Sequence, residues 1–379
     1  ILFLPMSLEM YAAMFAIQHI GGIAVFLDSW ARRNQLGASA QCVAPKAMIS
    51  HKRAFEAIAG VTQLDNIPLR IIAGPGNDGA YSAQLEDLLA TSGSVPITAV
   101  RPDDTALITF TTGSSGDPKG ANRTHRFLHA QHAALKDVVP YEDRDSDIPA
   151  FPIFSLNNLA SGVTTLLPAI DLAQPHHYDA AALASQILHE QVTCTTLSPS
   201  MLNALSGFCR RNDIRLASLR RVITGGAPIS RDNVSSFRAI APAAEIWILY
   251  GSTEVEPMAH IEATEMLALD HNHDAEIVEE GVNVGRIAKG LKYKFIRPCK
   301  DDIDFRNLNW REWEVAQNEV GEFIVSGDHV CADYYNNAAA FQRTKIREKD
   351  GTVWHRTGDL ARLDERGYLW IVGRVHNMV

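Results

Sequence analysis

A segment rich in hydroxyl groups and glycines, TFTTGSSGDPKG at residues 109–120, has the composition of a phosphate-binding loop. Backbone N–H groups of glycines can converge on an anion, hydroxyls add donors, and Lys119 adds a mobile positive charge. The other candidate residues of this phosphate loop are Thr111, Thr112, Gly113, Ser114, Ser115 and Gly116. It is not a P-loop, because Pro118 keeps the chain extended before Lys119 where a P-loop would begin a helix. A surface turn of small polar residues is the alternative.

Four further motifs carry groups that could bind a nucleotide. Residues 222–230, VITGGAPIS, expose bare backbone at two glycines, where a flat ligand can lie. Residues 250–259, YGSTEVEPMA, place Glu254 after a strand-like run, where a carboxylate beside bound phosphates can hold Mg²⁺. RTGDL and GR supply Asp359, which can accept hydrogen bonds from a diol such as ribose, and Arg374. Taken singly, RTGDL and GR are more typical of turns with solvated charges.

A second glycine-rich segment, GPGNDG at residues 74–79, matches the GxGxxG pattern of dinucleotide-binding folds. It follows a strand-like run and precedes a helical pattern at 80–89, as that fold requires. Pro75 favours a simple turn, however, and the next strand-like run, 96–100, leads to Arg101 instead of an acid for ribose. A dinucleotide oxidoreductase therefore stays a minor alternative.

Apolar strand-like runs alternate with helical patterns through the first two thirds of the chain. Strands are predicted at 67–74, 105–111, 193–199, 220–226 and 245–251, and helices at 124–136, 180–189 and 230–240. This alternation is typical of an α/β fold with helices on both faces of a mostly parallel sheet. After about residue 280, short alternating strands predict a small β-rich subdomain. The predicted boundaries are 1–280 for the α/β subdomains, 281–374 for the β-rich subdomain and 375–379 for the start of a hinge.

The composition excludes several classes of protein. A chain of 379 residues with 46% hydrophobic and 21% charged residues can bury a large core, which excludes a disordered or fibrous chain. The net charge is −9, from 35 Lys+Arg against 44 Asp+Glu, and the basic residues are scattered, which argues against nucleic-acid binding. Five cysteines without a CxxC pair predict neither a disulfide framework nor a zinc site and favour a cytoplasmic location. The sequence leaves the oligomeric state open.

Three other features are predicted to be structural. Residues 10–27 lack charged side chains, but Gly21 and Gly22 split them into a helix and a strand, so that no transmembrane segment is predicted. His125, His129 and His132 fall near one face of a predicted helix, yet no nearby carboxylate or cysteine supports a metal site. The charged stretch 301–319, with two tryptophans, is predicted to be a surface excursion, with a functional lid as the alternative.

Taken together and in this order, TTGSSGDPKG, GGAP, YGSTE, RTGDL and GR resemble the motifs of the adenylate-forming superfamily. That family contains acyl-CoA synthetases, luciferases and the adenylation domains of peptide synthetases. The resemblance covers residues 109–374, and residues 1–108 are similar to the family's opening βαβ units, joined partway through. It implies the family's large N-terminal domain, with stacked sheets covered by helices. The smaller C-terminal domain, which carries a lysine for adenylation, would begin just past Arg374, and we expect this chain to lack it.

The resemblance implies a role for each motif. The phosphate loop and Lys119 would bind the phosphates of ATP, Thr253 would touch the α-phosphate, and Glu254 would hold Mg²⁺. The remaining implied nucleotide-binding residues are Gly226, Ala227, Pro228, Tyr250, Gly251, Ser252, Asp359 and Arg374, with Asp359 on the two ribose hydroxyls. A carboxylate would attack the α-phosphorus, pyrophosphate would leave, and an acyl-adenylate would remain. Alignment and charge neutralisation suffice for this step, with Lys119, Thr253 and Glu254 as the implied catalytic residues.

The segment FPIFS at residues 151–155 stands where many acyl-CoA synthetases read PLFH, so that Ser155 takes the usual histidine position. A small Ser155 beside Leu156, with Gly162 a turn later, leaves space for an apolar chain. The segment also offers no aspartate to hold an amino group. The resemblance therefore implies a fatty or 3-hydroxy fatty acid as the substrate, and the predicted pocket consists of Phe154, Ser155, Leu156, Gly162 and Gly225.

The expected fate of the adenylate is transfer to coenzyme A, as in acyl-CoA synthetases. Residues 151–171 and 310–327 also resemble the bacterial β-lactone synthetases of olefin biosynthesis, in which the substrate's own hydroxyl attacks the adenylate. Closure of a 3-hydroxyacyl-adenylate to a β-lactone is therefore one alternative, and a noncatalytic nucleotide- or acyl-binding module is another. The expected cofactors are ATP and Mg²⁺, with coenzyme A as a candidate acceptor and a small-molecule carboxylic acid as the substrate.

Overall fold

A computed structural model describes residues 1–27, 31–76, 79–112, 117–170, 172, 178–269, 281–300, 303, 309–316 and 318–378. The chain divides into two compact units. The first contains Ile1–Leu128 and Cys331–Arg343, and the second contains His129–Val330 and Thr344–Val379. Each unit has its own sheet and its own buried apolar clusters.

The first unit is built around a sheet of seven strands in the order β5-β4-β3-β1-β2-β6-β7. Its elements are β1 (Leu2–Phe3), α1 (Leu8–His19), β2 (Ala24–Phe26), α2 (Arg33–Val43), β3 (Ala47–His51), α3 (Lys52–Ile58), α4 (Thr62–Asp65), β4 (Leu69–Ala73), β5 (Ala83–Gln84), α5 (Leu85–Leu89), β6 (Thr105–Thr112) and β7 (Pro118–Thr124). All neighbours are parallel except β6 and β7. A buried cluster joins Met48 and Ile108 of the sheet to Leu36 and Phe55 of the helices.

The uncharged residues 10–27 fold as predicted into most of α1, a glycine turn and β2. Gly21 adopts a φ of +71°, and the Gly22 N–H donates to the Ile17 carbonyl oxygen at 2.8 Å, which ends the helix. Among the described residues, no helix has both the length and the apolar character needed to cross a membrane.

The segment around GPGNDG differs from its predicted secondary structure. Residues 77–78 lie outside the described part of the chain, and the helix predicted over 80–89 is limited to α5. The strand predicted at 96–100 is wrong, because this segment is exposed and irregular. Its Thr98 N–H donates to the His19 carbonyl oxygen at 2.9 Å, so that it lies against the end of α1 and adds no strand to the sheet.

The chain continues beyond β7 with α6, within which the division between the units falls. The elements are α6 (His125–Val138), β8 (Ser146–Pro149), α7 (Pro152–Ala160), β9 (Thr164–Thr165), α8 (Ala180–His189), β10 (Cys194–Leu197), α9 (Pro199–Arg211), β11 (Arg221–Gly225), α10 (Arg231–Ile240), β12 (Glu245–Ser252), β13 (Val255–Glu262), α11 (Ala263–Leu269), β14 (Val282–Ile287), β15 (Lys292–Ile296), α12 (Trp310–Trp313), β16 (Gly321–Ser326), α13 (Ala338–Thr344), β17 (Lys345–Arg347), β18 (Val353–Leu363) and β19 (Leu369–Arg374).

One sheet of twelve strands runs through the second unit. Its order is β15-β16-β18-β19-β14-β13-β12-β11-β10-β8-β9, and β17 also pairs with β18. The neighbouring strands β9, β8, β10, β11 and β12 pair in parallel, and all other pairs in this sheet are antiparallel. The predicted α/β part and β-rich part are therefore continuous in one sheet, joined where His260 of β13 pairs with Arg286 of β14. The predicted boundary near residue 280 falls on 270–280, which lie outside the described residues.

Helices cover both faces of the parallel half of this sheet, as the α/β pattern predicted. Val222 of β11 belongs to a buried cluster with Leu202 of α9 and Phe237 of α10. The next residue of β11, Ile223, belongs to a different cluster with Leu135 of α6 and Phe154 of α7. Successive residues of a strand point to opposite faces, so these clusters place α9 and α10 on one face and α6 and α7 on the other.

Residues 331–343 belong to the first unit, although the predicted boundaries place them in the β-rich subdomain 281–374. Tyr334 forms an antiparallel bridge with Ala121 of β7, and the Tyr335 N–H donates to the Gly120 carbonyl oxygen at 2.8 Å. The Cys42 thiol of α2 donates to the Tyr335 carbonyl oxygen at 3.0 Å. The segment therefore returns to the sheet of the first unit and extends its edge at β7.

Candidate active site

Three motifs that are far apart in the sequence meet within the second unit. Asp359 of β18 is the register partner of Arg374 of β19, and Arg374 Nε lies 2.8 Å from Asp359 Oδ1. From β12, the Tyr250 hydroxyl donates to Asp359 Oδ2 at 2.5 Å. Asp359 is buried, whereas the Arg374 side chain is exposed. A carboxylate between an aromatic ring and a guanidinium can accept hydrogen bonds from the hydroxyls of a sugar.

The environment of Asp359 acts on its pKa in opposite directions. Burial raises the pKa of the Asp359 carboxyl, while the hydrogen bond from Tyr250 and the charge of Arg374 lower it, with a net rise. Burial and the charge of Asp359 raise the pKa of Tyr250 well above its usual value. The Tyr250 hydroxyl therefore stays protonated and acts as a hydrogen-bond donor to the carboxylate.

A bulge in β18 presents Asp359 to these partners. Leu360 pairs with Glu322 of β16 and Arg356 pairs with Ile324, so that residues 357–359 oppose a single residue of β16. Thr357 ties the bulge together, because its hydroxyl donates to the Phe323 carbonyl oxygen at 2.7 Å and accepts from the Asp359 N–H at 3.0 Å. Such a bulge redirects a side chain that a regular strand would aim elsewhere.

Bare backbone follows β11, next to the strand that carries Tyr250. Gly225 pairs with Leu249 of β12, and a Cβ on Gly225 would lie 2.4 Å from the Leu249 carbonyl oxygen. Gly226 has a φ of +79° and no atom within 4 Å of an added Cβ. Gly226, Ala227 and Pro228 are exposed, and Ser230 then caps α10 by accepting from the Asn233 N–H. Backbone is therefore exposed at residues 226–228, and the binding of a flat ligand there stays a prediction.

Glu254 lies in the turn between β12 and β13, together with Thr253. The Ser252 hydroxyl accepts from the Glu254 N–H at 3.2 Å, which closes the turn, and residues 250–254, including Gly251, are half-buried. Strand β12 ends at Ser252, and the nearby Glu256 lies in the next strand, β13. The carboxylates of Glu254 and Glu256 therefore do not lie on one continuous strand. In the described part of the chain, no group of three or more His, Cys, Asp or Glu side chains could hold a metal by itself.

The phosphate loop belongs to the first unit and joins two antiparallel strands. Thr112 of β6 pairs with Pro118 of β7, and Thr111 pairs with Lys119. Residues 113–116, which include the predicted phosphate-binding Gly113, Ser114, Ser115 and Gly116, lie outside the described residues. Residues 118–124 form a strand, which agrees with the prediction that Pro118 keeps the chain extended before Lys119. Lys119 is buried at 8% exposure.

The predicted acid pocket lies along α7. Phe154 packs with Leu135 and Ile223, and Leu156 is half-buried. Ser155 is fully buried, and its hydroxyl has no hydrogen-bond partner among the described residues. Gly162 follows the helix with a φ of +71° and is exposed, so that it ends the helix in the left-handed conformation. The contacts of these residues with an acid stay a prediction.

A buried polar cluster that the sequence analysis missed holds α7 against β8. Asn158 of α7 donates to Asp147 Oδ2 of β8 at 2.8 Å, and the Tyr141 hydroxyl donates to the same oxygen at 2.8 Å and also contacts Asn158 Oδ1. Burial raises the pKa of Asp147 to about 6. Next to this cluster, His132 Nδ1 lies 2.9 Å from Asn157 Oδ1 of α7, so that His132 packs against α7. The sequence held a signal for this cluster, because Asp147 and the pair Asn157-Asn158 stand among apolar residues.

The model of the AMP-binding enzyme family matches residues 1–335, which is most of the chain. The chain belongs to this family. The resemblance to adenylate-forming enzymes is therefore confirmed, and so is the α/β fold of their N-terminal domain.

Relatives in this family act on different substrates. The chain is 32% identical to the olefin β-lactone synthetase of Stenotrophomonas maltophilia over 97% of its own length and 66% of the relative's. The identity is 31% to the olefin β-lactone synthetase of Xanthomonas campestris, over 97% and 66% of the two chains. The chain is 27% identical to the indoleacetate–CoA ligase of Aromatoleum aromaticum, over 98% of its own length and 68% of the relative's. The chain thus spans just under two thirds of the β-lactone synthetases.

Solved structures share the fold. The luciferase-like enzyme of the mealworm Zophobas morio superposes with a TM-score of 0.80 at 18% identity, covering 100% of this chain and 83% of that one. O-succinylbenzoate coenzyme A synthetase of Bacillus subtilis, in complex with ATP and magnesium ion, superposes with a TM-score of 0.75 at 20% identity, covering 100% and 70%. At these identities the likeness shows the adenylate-forming fold alone.

Replacing Tyr250 by phenylalanine is expected to shift the pH dependence of nucleotide binding. The hydroxyl stabilises the ionised form of Asp359, so its loss raises the pKa of this carboxyl further. Binding that needs the carboxylate is then lost at a higher pH than in the unsubstituted protein. Titration of ATP binding between pH 5 and 8 measures the acidic limb of the profile. If Tyr250→Phe loses ATP binding at the same pH as the unsubstituted protein, Asp359 does not control binding.

Replacing Ser155 by alanine is expected to raise the free energy of unfolding by about 1 kcal/mol, because a buried hydroxyl without a partner opposes folding. Urea unfolding of the two proteins measures this difference. Asn158→Ala is the contrasting variant in the same helix, and it should destabilise the protein because it removes one of the two hydrogen bonds that the buried Asp147 carboxylate accepts. A loss of stability on Ser155→Ala would contradict the absence of a partner for this hydroxyl.

Proposed function

We propose that this chain is the nucleotide- and acid-binding part of an enzyme that activates a carboxylic acid with ATP. The acid's carboxylate oxygen attacks the α-phosphorus, the bond between the α-phosphorus and the bridging oxygen breaks, and pyrophosphate leaves. The observation that carries the proposal is the Tyr250–Asp359–Arg374 cluster, assembled from three separate motifs in a chain of the AMP-binding family. In this proposal Asp359 accepts the hydrogen bonds of the ribose hydroxyls.

The other parts of the site have complementary roles in this proposal. The exposed backbone of residues 226–228 and the ring of Tyr250 would line the adenine. Lys119 and the hydroxyls of the phosphate loop would neutralise and orient the phosphates, and Thr253 would touch the α-phosphate. No protein nucleophile is required, because positioning and electrostatic stabilisation supply the catalysis of such a displacement.

A single carboxylate, Glu254, is consistent with a Mg²⁺ that arrives with the nucleotide. Mg²⁺ keeps several waters and is held in such sites by one or two carboxylates plus the substrate's phosphates. Glu254 is half-buried in a turn, which leaves part of its side chain accessible, and the described residues offer no larger cluster of metal ligands. When bound, the ion would neutralise developing negative charge on the phosphates.

The proposed acid is a 3-hydroxy fatty acid, and the proposed product is a β-lactone. The hydroxyl oxygen attacks the acyl carbonyl carbon, the bond to the AMP oxygen breaks, and the hydroxyl proton passes to water. Identities of 32% and 31% to two olefin β-lactone synthetases, over 97% of this chain, favour this product over the coenzyme A thioester expected first from the sequence. Thioester formation stays the second candidate, supported by 27% identity to a CoA ligase over 98% of the chain.

The first experiment measures pyrophosphate release by the full-length protein with ATP and Mg²⁺. Decanoate, 3-hydroxydecanoate and a panel of amino acids are compared, with and without coenzyme A. Turnover of 3-hydroxydecanoate without coenzyme A, with a lactone detected by mass spectrometry, is the expected result. Turnover only with coenzyme A would replace the lactone by the thioester. ATP binding without pyrophosphate release from any acid would overturn the catalytic proposal in favour of a noncatalytic binding module.

A further inference from the structure

A buried ion pair stands directly beside the bulge that presents Asp359. Arg356 Nε lies 3.0 and 3.1 Å from the two carboxylate oxygens of Glu322, and Arg356 Nη2 lies 2.7 Å from Oε2. Arg356 Nη2 also donates to the Cys299 carbonyl oxygen at 2.6 Å. Glu322 is 1% exposed and Arg356 is 7% exposed. The pair is therefore a bidentate contact between β16 and β18 in a largely dry environment.

The backbone of the bulge also acts on Glu322. The Gly358 N–H lowers the pKa of the Glu322 carboxyl, so that groups on both sides of Thr357 favour its ionised form. Gly358 adopts a φ of +73°, which the regular strand does not use. Burial raises the pKa of Glu322, and the hydrogen bonds and charge of Arg356 oppose that rise. The Glu322 carboxylate is therefore bonded to Arg356, the residue directly before the point where the strand changes direction.

We propose that Glu322 is a positioning residue for the ribose-binding carboxylate. By holding Arg356 at the start of the bulge, it keeps the bulge in the conformation that directs Asp359 to Tyr250 and Arg374. This inference rests on the proposed nucleotide site. It predicts that Glu322 affects the affinity for a nucleotide only through the contacts with the ribose hydroxyls. The stability of the fold alone would not require the Glu322–Arg356 ion pair, because buried ion pairs can often be replaced by apolar residues without loss of stability.

The test compares the binding of ATP and 2′,3′-dideoxy-ATP to the full-length protein in the presence of Mg²⁺, measured by calorimetry. The second nucleotide lacks both hydroxyls that Asp359 would hold. Glu322→Gln keeps the size of the side chain and removes its charge, so the bulge is held less firmly. We expect this variant to lose about tenfold in affinity for ATP and less than about twofold for the dideoxy analogue, which corresponds to the weakening of one charged hydrogen bond.

A double-mutant cycle separates positioning from a direct effect. In an Asp359→Ala background, Glu322→Gln should change the affinity for ATP no further, because Glu322 acts through Asp359. Thr357→Val is a second variant that loosens the bulge without disturbing a charge, and it should reduce the discrimination in the same way. It keeps the proposal testable if Glu322→Gln does not fold.

The matched control is Asp145→Asn, which removes the charge of another buried carboxylate of the second unit. Asp145 is paired with Arg220 and accepts from the Thr193 hydroxyl at 2.8 Å, away from β16 and β18 in the sheet order. It should lower the melting temperature without changing the discrimination between the two nucleotides. Unchanged discrimination in both Glu322→Gln and Thr357→Val would overturn the positioning role, while ATP binding and pyrophosphate release by the unsubstituted protein would leave the proposed function intact. Absence of ATP binding by the unsubstituted protein would overturn both.

Discussion

Replacing Asp359 by alanine is expected to lower kcat/KM for ATP in pyrophosphate release by about a hundredfold to a thousandfold. In the proposed site this carboxylate accepts two hydrogen bonds from the ribose, and hydrogen bonds to charged groups contribute more than those between neutral groups. The substitution also leaves the Tyr250 hydroxyl and the Arg374 guanidinium without their shared partner. The measurement is steady-state pyrophosphate release by the full-length protein at saturating acid and varied ATP.

Asp350→Asn is the matched control for this variant. Asp350 lies in an exposed turn just before β18. Its Oδ1 accepts a local hydrogen bond from the Thr352 N–H. It should leave kcat/KM within about twofold of the unsubstituted value, as expected for a surface substitution. An Asp359→Ala variant that retains full activity would remove ribose binding from the roles of this residue.

Replacing Gly285 by alanine is expected to lower the free energy of unfolding by about 4 kcal/mol, through steric overlap and a positive φ together. Gly285 lies in β14 with a φ of +90°, and an added Cβ would lie 1.9 Å from the His260 carbonyl oxygen of β13. Because this oxygen is backbone, the overlap is relieved only by separating the strands. Urea unfolding followed by tryptophan fluorescence measures the change, since Trp370 pairs with Asn283 of the same strand.

Gly290→Ala separates the two causes of this loss. Gly290 has a φ of +83° and no atom within 4 Å of an added Cβ, so that only the backbone conformation opposes alanine there. It should cost about 1 kcal/mol, the usual penalty for an L-residue in the left-handed region. Equal losses at the two positions would mean that β13 and β14 do not approach as closely as the structure shows.

Local patterns predicted most of the fold. The predicted helix at 180–189 is α8 itself, and the strand predicted at 245–251 is β12 apart from one residue. Pro118 predicted an extended chain before Lys119, and this part of the chain lies in β7. These features depend on side chains within one or two turns of each other, so the sequence is sufficient to predict them. The strand predicted at 96–100 failed because its apolar residues are exposed beside α1, which no local pattern reveals.

The sequence proposed the candidate site as a set of residues, without their arrangement in space. Asp359 and Arg374, each typical of an ordinary turn when taken alone, became candidates only through the order of the motifs. Their ion pair and the hydrogen bond from Tyr250 depend on the pairing of β18 with β19 and on the placement of β12 in the same sheet. Glu322 was not a candidate, because its partner Arg356 is 34 residues away.

The sequence by itself determined the α/β class and the family to which the chain belongs. It did so because hydrophobic periodicity, turn chemistry and motif order are local or linear properties of a chain. Only the tertiary structure decided that residues 331–343 belong to the first unit, that one sheet of twelve strands joins the α/β and β-rich parts, and that Glu322 holds the bulge before Asp359. These features arise from contacts between distant segments, where strand register and burial select the partners and no local pattern encodes them.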